Sequence, residues 1–326
     1  MRYSQSEKME IIRIVEESEL SVKRTLEELD VNRSTFYKWY DKYKKKGYEG
    51  LKNQSSTPKR LWNKIPEQIR EYVVEIAIKL PEKSPRELAW YITDNEGYYI
   101  SESSVYRILK SYDLITSPAY IVLSASDKFR KPTRRINELW QTDFTYFKIV
   151  GWGWYYLSTV LDDYSRYILA WKLSSTMSVQ DVKETLDMAI EKTGVDKIQV
   201  LHRPRLLSDN GPSYISGELK KYLSKLDIQH VRGAPFHPMT QGKIERYHRT
   251  LKNIIKLQNY YFPWQLKNEI SQFVDYYNND RYHESLNNLK PVDVYLGNVR
   301  KIISLRETIK NKTIELRRRE NLKLVS

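Results

Sequence analysis

The chain has 326 residues, of which 40% are hydrophobic, and this content predicts two or three folded domains with buried cores. It has no cysteine and only 5 histidines, which show no metal-binding spacing, so we exclude disulfides and thiolate zinc sites and expect any metal on oxygen ligands. The 55 Lys and Arg residues against 41 Asp and Glu give a net charge of +14, which favours nucleic acid as the partner over a merely solvated basic surface. Because no apolar run reaches the roughly 18 residues of a membrane span and the first residues lack a secretory pattern, we expect a cytoplasmic protein with no membrane partner.

The first predicted domain, residues 1–47, is a set of three short helices. Apolar residues recur at helical spacing in the first helix, with Ser6 as a candidate cap, and the second helix begins after Ser21. In the third helix, aromatic side chains can pack inward. Its exposed N-terminal part carries Arg33, Ser34, Thr35, Tyr37 and Lys38. A plain helical bundle would show the same three helices, but this surface is typical of a helix-turn-helix whose last helix contacts DNA bases.

A second helical block, residues 66–115, follows a basic linker at residues 48–65. Its third helix, with Ser101 or Ser103 as a cap, again suits a helix-turn-helix. The candidate DNA-facing residues of that helix are Ser103, Ser104, Tyr106 and Arg107. Two such modules in tandem favour DNA binding more than either would alone. A second linker, residues 116–133, leads to the next domain.

From residue 134 the pattern changes from helical to strand-like. Three aromatic-rich strands joined by short turns predict an antiparallel meander, and helices then alternate with two further strands before a long helix from about Gln241. The order βββαβαβα predicts an α/β core with a mixed sheet over residues 134–298, with parallel neighbours in its second half. The basic tail, residues 299–326, predicts a helix that faces DNA, a partner subunit or solvent.

Three acids could meet in this sheet. Asp143 lies in the first strand of the core, Asp209 ends the fourth strand where Asn-Gly-Pro breaks it, and Glu245 lies on the long helix. Each acid alone could be structural, as we expect for Asp162 and Asp163 in a hairpin turn. Together they supply three carboxylates, which are the ligands that Mg²⁺ and Mn²⁺ prefer.

The helix that carries Glu245 has two faces. The face of Glu245 also carries Arg249, Lys252 and Lys256, which we expect to hold DNA phosphates, although a solvated face with Glu-Arg pairing would look the same. The opposite, apolar face carries Ile244, Tyr247, Leu251, Ile254 and Ile255. Further candidate DNA contacts are His237 and Gln241 in the loop before the helix, and Lys243. The His237-Pro238 pair could instead only fix the turn.

Five stretches of the chain resemble the integrase core of the DDE transposases of bacterial insertion sequences, most closely the group called insertion sequence family three. They are "WQTDFTYF", "VLDDYSRYILAW", "LLSDNGPSY", "HPMTQGKIERYHRTLK" and "YNNDRYHESLNNLKPVDVY", within residues 134–297. The resemblance implies an RNase H-like catalytic core with a mixed five-stranded sheet. It also implies that Asp143, Asp209 and Glu245 are the catalytic acids that bind two Mg²⁺ or Mn²⁺ ions, and that Lys252 matches the family's basic residue. Retroviral integrases carry a His-Cys zinc module, which a chain without cysteine cannot build, so the bacterial branch is favoured.

The resemblance implies a transposase that binds the ends of an insertion sequence and catalyses DNA cleavage and strand transfer. Its expected DNA partners are double-stranded terminal repeats and target DNA. We also expect it to form a homo-oligomer on DNA and to act in the bacterial nucleoid. One alternative is a sequence-specific DNA-binding regulator whose integrase-like core is inert. Another is a nuclease of the RNase H type without strand transfer, although that function does not call for two DNA-reading modules.

Overall fold

The computed structural model describes residues 3–53, 62–115, 133–197, 203–233 and 241–323. The chain divides into two units, Met1–Trp62 and Asn63–Ser326. No helix within these described ranges is long and apolar enough to cross a membrane.

The first unit is built from three helices and a short 3-10 helix. They are α1 (Gln5–Glu17), α2 (Val22–Glu28), α3 (Arg33–Lys46) and the 3-10 helix Gly47–Leu51. Their core contains Ile12, Leu26, Phe36 and Leu51. Ser4, and not Ser6, caps α1, because the Ser4 hydroxyl accepts the backbone N–H of Glu7.

Residues 48–53, which we assigned to the basic linker, take part in the packing of this unit. Leu51 is buried, and the Lys8 ammonium donates a 3.0 Å hydrogen bond to its carbonyl. The Asn53 side-chain amide donates to the carbonyl of Tyr3 at 2.9 Å. The folded part of the first unit therefore extends beyond Gly47.

The second unit begins with another three-helix block. Its helices are α4 (Glu67–Lys79), α5 (Pro85–Glu96) and α6 (Glu102–Ser111). Val73, Leu88 and Val105 meet in its core. Ser101 is the cap of α6, since its hydroxyl accepts the backbone N–H of Ser104.

A mixed five-stranded sheet follows, which confirms the expected α/β, RNase H-like core. Its strands are β1 (Leu139–Ile149), β2 (Gly153–Asp162), β3 (Ile168–Ser174), β4 (Arg205–Ser208) and β5 (Gln229–Arg232), and they lie in the order β3-β2-β1-β4-β5. The first three strands pair antiparallel, whereas β1, β4 and β5 pair parallel. The remaining helices are α7 (Val179–Thr193), α8 (Pro212–Ile215), α9 (Gly217–Lys225), α10 (Gly242–Ile255), α11 (Pro263–Asn279), α12 (Pro291–Tyr295) and α13 (Val299–Lys323). The short helix α8, directly after Asp209, was not predicted.

Helices cover both faces of the sheet, because side chains alternate between the faces along each strand. On one face, Trp140 of β1 packs with Val182 of α7 and Leu219 of α9. On the other, Phe147 of β1 packs with residues of α10 and α11. Most of the predicted apolar face of α10 is buried there, but Ile254 is 44% exposed, so its inward placement was wrong.

The long helix α13 binds the three-helix block through two buried arginines. The guanidinium of Arg306 donates to both carboxylate oxygens of Asp94 on α5, at 2.7 and 2.6 Å, and lies 4.4 Å from the ring centroid of Trp90. Further along, Arg317 donates to the hydroxyl of Tyr98 at 2.7 Å. The basic tail thus contains a helix whose two buried arginines donate hydrogen bonds to acceptors within the protein.

Candidate active site

The sheet places Asp143 and Asp209 next to each other. Strands β1 and β4 are parallel, with Gln141 opposite Leu207, and the same register extended by two residues sets Asp143 opposite Asp209. Strand β4 ends at Ser208, because a tight turn follows in which the Asp209 carboxylate accepts the backbone N–H of Gly211 at 2.9 Å. A Cβ atom at Gly211 would lie 3.0 Å from that carboxylate, so glycine lets the turn close on it.

The two carboxylates repel each other. Partial desolvation by the surrounding protein raises the pKa of Asp209, the negative charge of Asp143 raises it further, and the Gly211 N–H acts in the opposite direction. A bound cation would relieve this repulsion.

Two clefts meet at Asp143. The first has a volume of about 440 Å³ and is lined by Asp143, Asp209, Pro212 and several aromatic side chains. The second has a volume of about 400 Å³ and brings Asp143 together with Glu245. Its other lining residues include His248, Arg249, Lys252 and Lys256. The structure therefore brings each of the two other acids into a cleft with Asp143, and adds the predicted basic face of α10 to the second cleft.

The acids suit a divalent cation by their chemistry, since carboxylate oxygens are the preferred ligands of Mg²⁺ and Mn²⁺. Asp143 and Asp209 fit such an ion best, because they share a cleft and repel each other. Nowhere in the described part of the chain do three His, Asp or Glu side chains stand close enough together to hold a metal ion. Glu245 is exposed on the first turn of α10, and it shares a cleft with Asp143 but not with Asp209.

His248 contacts Asp143 and was not among the predicted residues. One oxygen of Asp143 accepts the Phe144 N–H at 2.8 Å, and the other lies 3.5 Å from Nδ1 of His248. The ring of His248 is buried, and its Nε2 has no hydrogen-bond partner among the residues that the structure describes. His248 follows Glu245 by three residues, a spacing that places both near one face of a helix and could have identified it.

Buried polar contacts fix the start of α10 against the sheet. The Lys243 ammonium pairs with the carboxylate of Asp163 at 2.5 Å, and both side chains are less than a tenth exposed. The Gln141 amide donates to Asp163 at 2.7 Å and its carbonyl accepts the Ile244 N–H at 3.1 Å. These contacts hold the helix of Glu245 beside the strand of Asp143.

Two of the predicted DNA contacts on α10 are corrected by this burial. Lys243 is buried in the ion pair with Asp163, and Gln241 is also buried, so neither presents its polar group to DNA. His237 lies outside the described residues. Arg249 and Lys256 are exposed, and the Lys252 ammonium lies 4.5 Å from the ring centroid of Tyr146. Burial lowers the pKa of Lys252, Lys256 lowers it further, and Asp143 acts to raise it.

The candidate DNA contacts on the helical modules lie at the surface for the most part. On α3, Arg33, Ser34, Tyr37 and Lys38 are exposed, whereas Thr35 is half-buried. The Ser34 hydroxyl donates to the Asn32 side chain at 2.7 Å, so it is already engaged in capping α3. On α6, Arg107 is exposed while Ser104 and Tyr106 are half-buried, and the Arg107 guanidinium donates to the carbonyl of Ser103, also exposed, at 3.1 Å.

Family models match the core and the helical blocks. Residues 133–238 match the integrase core domain. A second family model with the same description matches residues 226–291, so matches to the integrase core cover the sheet, both clefts and all three acids. A model described as homeodomain-like matches residues 2–52, which contain α1–α3. A second model with the same description matches residues 35–109, from within α3 into α6.

Relatives of the integrase core come from bacteria and from retroviruses. The transposase for transposon Tn552 of Staphylococcus aureus is 26% identical over 238 residues, which cover 67% of this chain and 49% of the transposase. The Gag-Pro-Pol polyprotein of squirrel monkey retrovirus is 32% identical over 120 residues, which cover 36% of this chain and 6% of the polyprotein. The chain thus spans about half or less of these relatives.

Solved structures that are similar to parts of this chain include two from retroviruses. The HTLV-2 integrase catalytic core domain in complex with magnesium has a TM-score of 0.39 at 20% identity, covering 49% of this chain and 97% of that one. The simian T-cell lymphotropic virus intasome in complex with PP2A regulatory subunit B56 gamma has a TM-score of 0.42 at 19% identity, covering 68% and 74%.

Proposed function

We propose that this protein is a DDE transposase of a bacterial insertion sequence, of the family-three group, which binds the element's ends and catalyses metal-dependent DNA cleavage and strand transfer. The observation that carries the proposal is the position of Asp143 where two clefts meet, one with Asp209 and the other with Glu245 and a basic helix face. The match to the integrase core and the named transposase relative support it.

The three acids would hold two Mg²⁺ or Mn²⁺ ions, as in the family's pattern. When bound, these ions would activate the attacking oxygen and stabilise the leaving oxygen in an in-line displacement. The residues of the chain perform the remaining tasks. Lys252, Arg249 and Lys256 line the cleft of Glu245 and would hold the phosphates beside the scissile bond. His248 would keep the carboxylate of Asp143 oriented.

The helical modules would supply recognition. Arg33, Tyr37 and Lys38 are exposed in the N-terminal half of α3, and Arg107 is exposed midway along α6. Helix-turn-helix proteins contact bases from the corresponding helix. We propose that residues 1–47, together with the packed residues 48–53, and residues 66–115 are the two end-binding modules, and that residues 134–298 are the catalytic core. The net charge of +14 fits a protein that binds DNA ends and target DNA, and we expect it to act on DNA as a homo-oligomer in the bacterial nucleoid.

A cleavage and joining assay tests the proposal. The full-length protein is incubated with labelled duplexes that carry the sequences flanking its gene, with Mg²⁺, with Mn²⁺ or with excess EDTA. We expect a 3′-hydroxyl at the element's end and its transfer to a second duplex, only when metal is added. Specific end binding without any cleavage in either metal would instead favour a DNA-binding regulator, and cleavage without joining would favour a nuclease.

A further inference from the structure

The cleft shared by Asp143 and Asp209 has an aromatic wall, formed by Tyr146, Trp154 and Tyr156. The strand register sets Tyr146 opposite Tyr156 and Lys148 opposite Trp154, so these side chains project from one face of the sheet. The rings of Tyr146 and Trp154 are 5.3 Å apart between centroids, with an interplanar angle of 79°.

Much of the aromatic wall is exposed to solvent. Tyr146 is 54% exposed and Trp154 is 51% exposed, although the same sheet face is buried under α7 further along the strands, at Trp140. Single exposed aromatic residues are common on protein surfaces. Here, however, the rings line a cleft of about 440 Å³ that also contains two candidate catalytic carboxylates. The volume lies in the range of small-molecule sites, which are lined mainly by hydrophobic and aromatic side chains with a few polar groups.

Cations flank the rings on either side. The Lys252 ammonium lies 4.5 Å from the ring centroid of Tyr146, and the Lys148 ammonium lies 6.0 Å from that of Trp154. Exposed aromatic rings interleaved with basic side chains are the pattern of sites for single-stranded nucleic acid, in which rings stack on bases and cations hold phosphates. A base inside a duplex has its faces covered by its neighbours, so such a ring can stack only on an unpaired base or on the outer face of a terminal pair, and the blunt duplex used below distinguishes these two cases.

We propose that the aromatic wall stacks against one unpaired base of the DNA strand whose phosphodiester lies at Asp143 and Asp209, so that the duplex end is opened next to the site of cleavage. The inference rests on the proposed function, because that function places a DNA strand at the two acids. It adds a base-binding subsite and names Trp154 as a positioning residue for the substrate strand.

The test compares two duplexes of identical length, one blunt and one with three mismatched terminal pairs that contain the fluorescent base 2-aminopurine. Binding of each duplex to the full-length protein is measured without divalent metal. We expect the wild type to prefer the frayed duplex and to quench 2-aminopurine, because stacking quenches this base. Trp154→Ala should weaken binding of the frayed duplex about tenfold, as for the loss of one aromatic-base stack, and leave blunt-duplex binding unchanged.

Two further variants serve as controls. Trp154→Phe keeps a ring and should retain most of the preference for the frayed duplex. Trp152→Ala removes an equally exposed tryptophan, 56% exposed, in the adjoining turn and outside the cleft, and should behave as the wild type. Equal binding of both duplexes by the wild type would overturn the inference, as would equal losses in Trp152→Ala and Trp154→Ala.

The same duplexes distinguish failure of the subsite from failure of the function. If the wild type cleaves with Mg²⁺ but shows no preference for the frayed end, the subsite is wrong and the function stands. If the preference is present and depends on Trp154, but no cleavage occurs with metal, the subsite stands and the proposed function is wrong.

Discussion

Replacing Lys243 with methionine distinguishes two roles for this residue. The sequence indicated a DNA contact, whereas the structure places Lys243 in a buried ion pair. The Lys243 ammonium is 2.5 Å from the Asp163 carboxylate, and the two side chains are 8% and 4% exposed. Methionine would fill much of the same volume but would leave Asp163 as an uncompensated buried charge. We therefore expect the substitution to act on the stability of the second unit.

The size of the effect follows from what remains around Asp163. Breaking one partner of a buried ion pair costs about 3–5 kcal/mol. Asp163 keeps hydrogen bonds from Thr133 at 2.6 Å and Gln141 at 2.7 Å, so we expect the lower end of that range. A loss of about 3 kcal/mol corresponds to a melting temperature lower by roughly 6–12 °C for a unit of this size. Asp163→Asn in the Lys243→Met background removes the unpaired charge and should recover part of the loss.

Differential scanning calorimetry of the full-length protein measures this change, with Lys256→Met as a matched control because Lys256 is an exposed lysine on the same helix. DNA binding is then measured against salt concentration, well below the melting temperature. Lys243→Met should keep the wild-type salt slope. Two results together would contradict the buried pair: a melting temperature within about 2 °C of the wild type, far less than the change derived above, and a salt slope lower by about one unit. They would show that Lys243 contacts a phosphate.

Three further substitutions test other parts of the molecule. Arg306→Ala leaves the carboxylate of Asp94 without its partner, while Arg317 still holds the far end of α13. The stability should fall by about 3 kcal/mol and the N-terminal half of α13 should become sensitive to proteolysis; unchanged protease resistance would contradict this. Burial acts to raise the pKa of Asp181, but hydrogen bonds from Thr176 and Ser178 lower it overall, so its stabilising effect is present above the unfolded pKa of about 4 and is lost as the pH falls towards the lowered value. Asp181→Asn should therefore lower the melting temperature at pH 7, and its difference from the wild type should shrink as the pH falls below about 4 towards the lowered pKa, whereas a constant difference would refute the shift. Lys252→Ala should reduce cleavage more than end binding and lower the salt slope by roughly one unit; an equal loss of both would place Lys252 in end recognition.

The sequence was most informative where local rules decide the structure. The Asp-Asn-Gly-Pro stretch ends a strand by turn chemistry, and the parallel register then places Asp209 beside Asp143. The spacing of Glu245, Arg249 and Lys252 placed them near one cleft because helical periodicity alone determines a face.

Long-range partners could not be predicted. Lys243 was expected to contact DNA, but its side chain pairs with Asp163, which lies 80 residues away in the chain. The pairing of Arg306 with Asp94 joins residues 212 apart. Such contacts depend on how helices and strands pack against one another. The sequence therefore showed the charged residues but not which of them pair.

Metal-dependent cleavage by the acid variants tests the central claim most directly. Asp143→Asn, Asp209→Asn and Glu245→Gln are each compared with the wild type on an end duplex with Mg²⁺, and Glu191→Gln serves as a control acid, exposed on α7 of the same core. We expect each of the three to lose cleavage and strand transfer while keeping end affinity within about threefold, since each change removes a metal ligand and little volume. Glu191→Gln should retain wild-type rates. Substantial cleavage by any of the three acid variants would contradict the assignment of Asp143, Asp209 and Glu245 as the catalytic site.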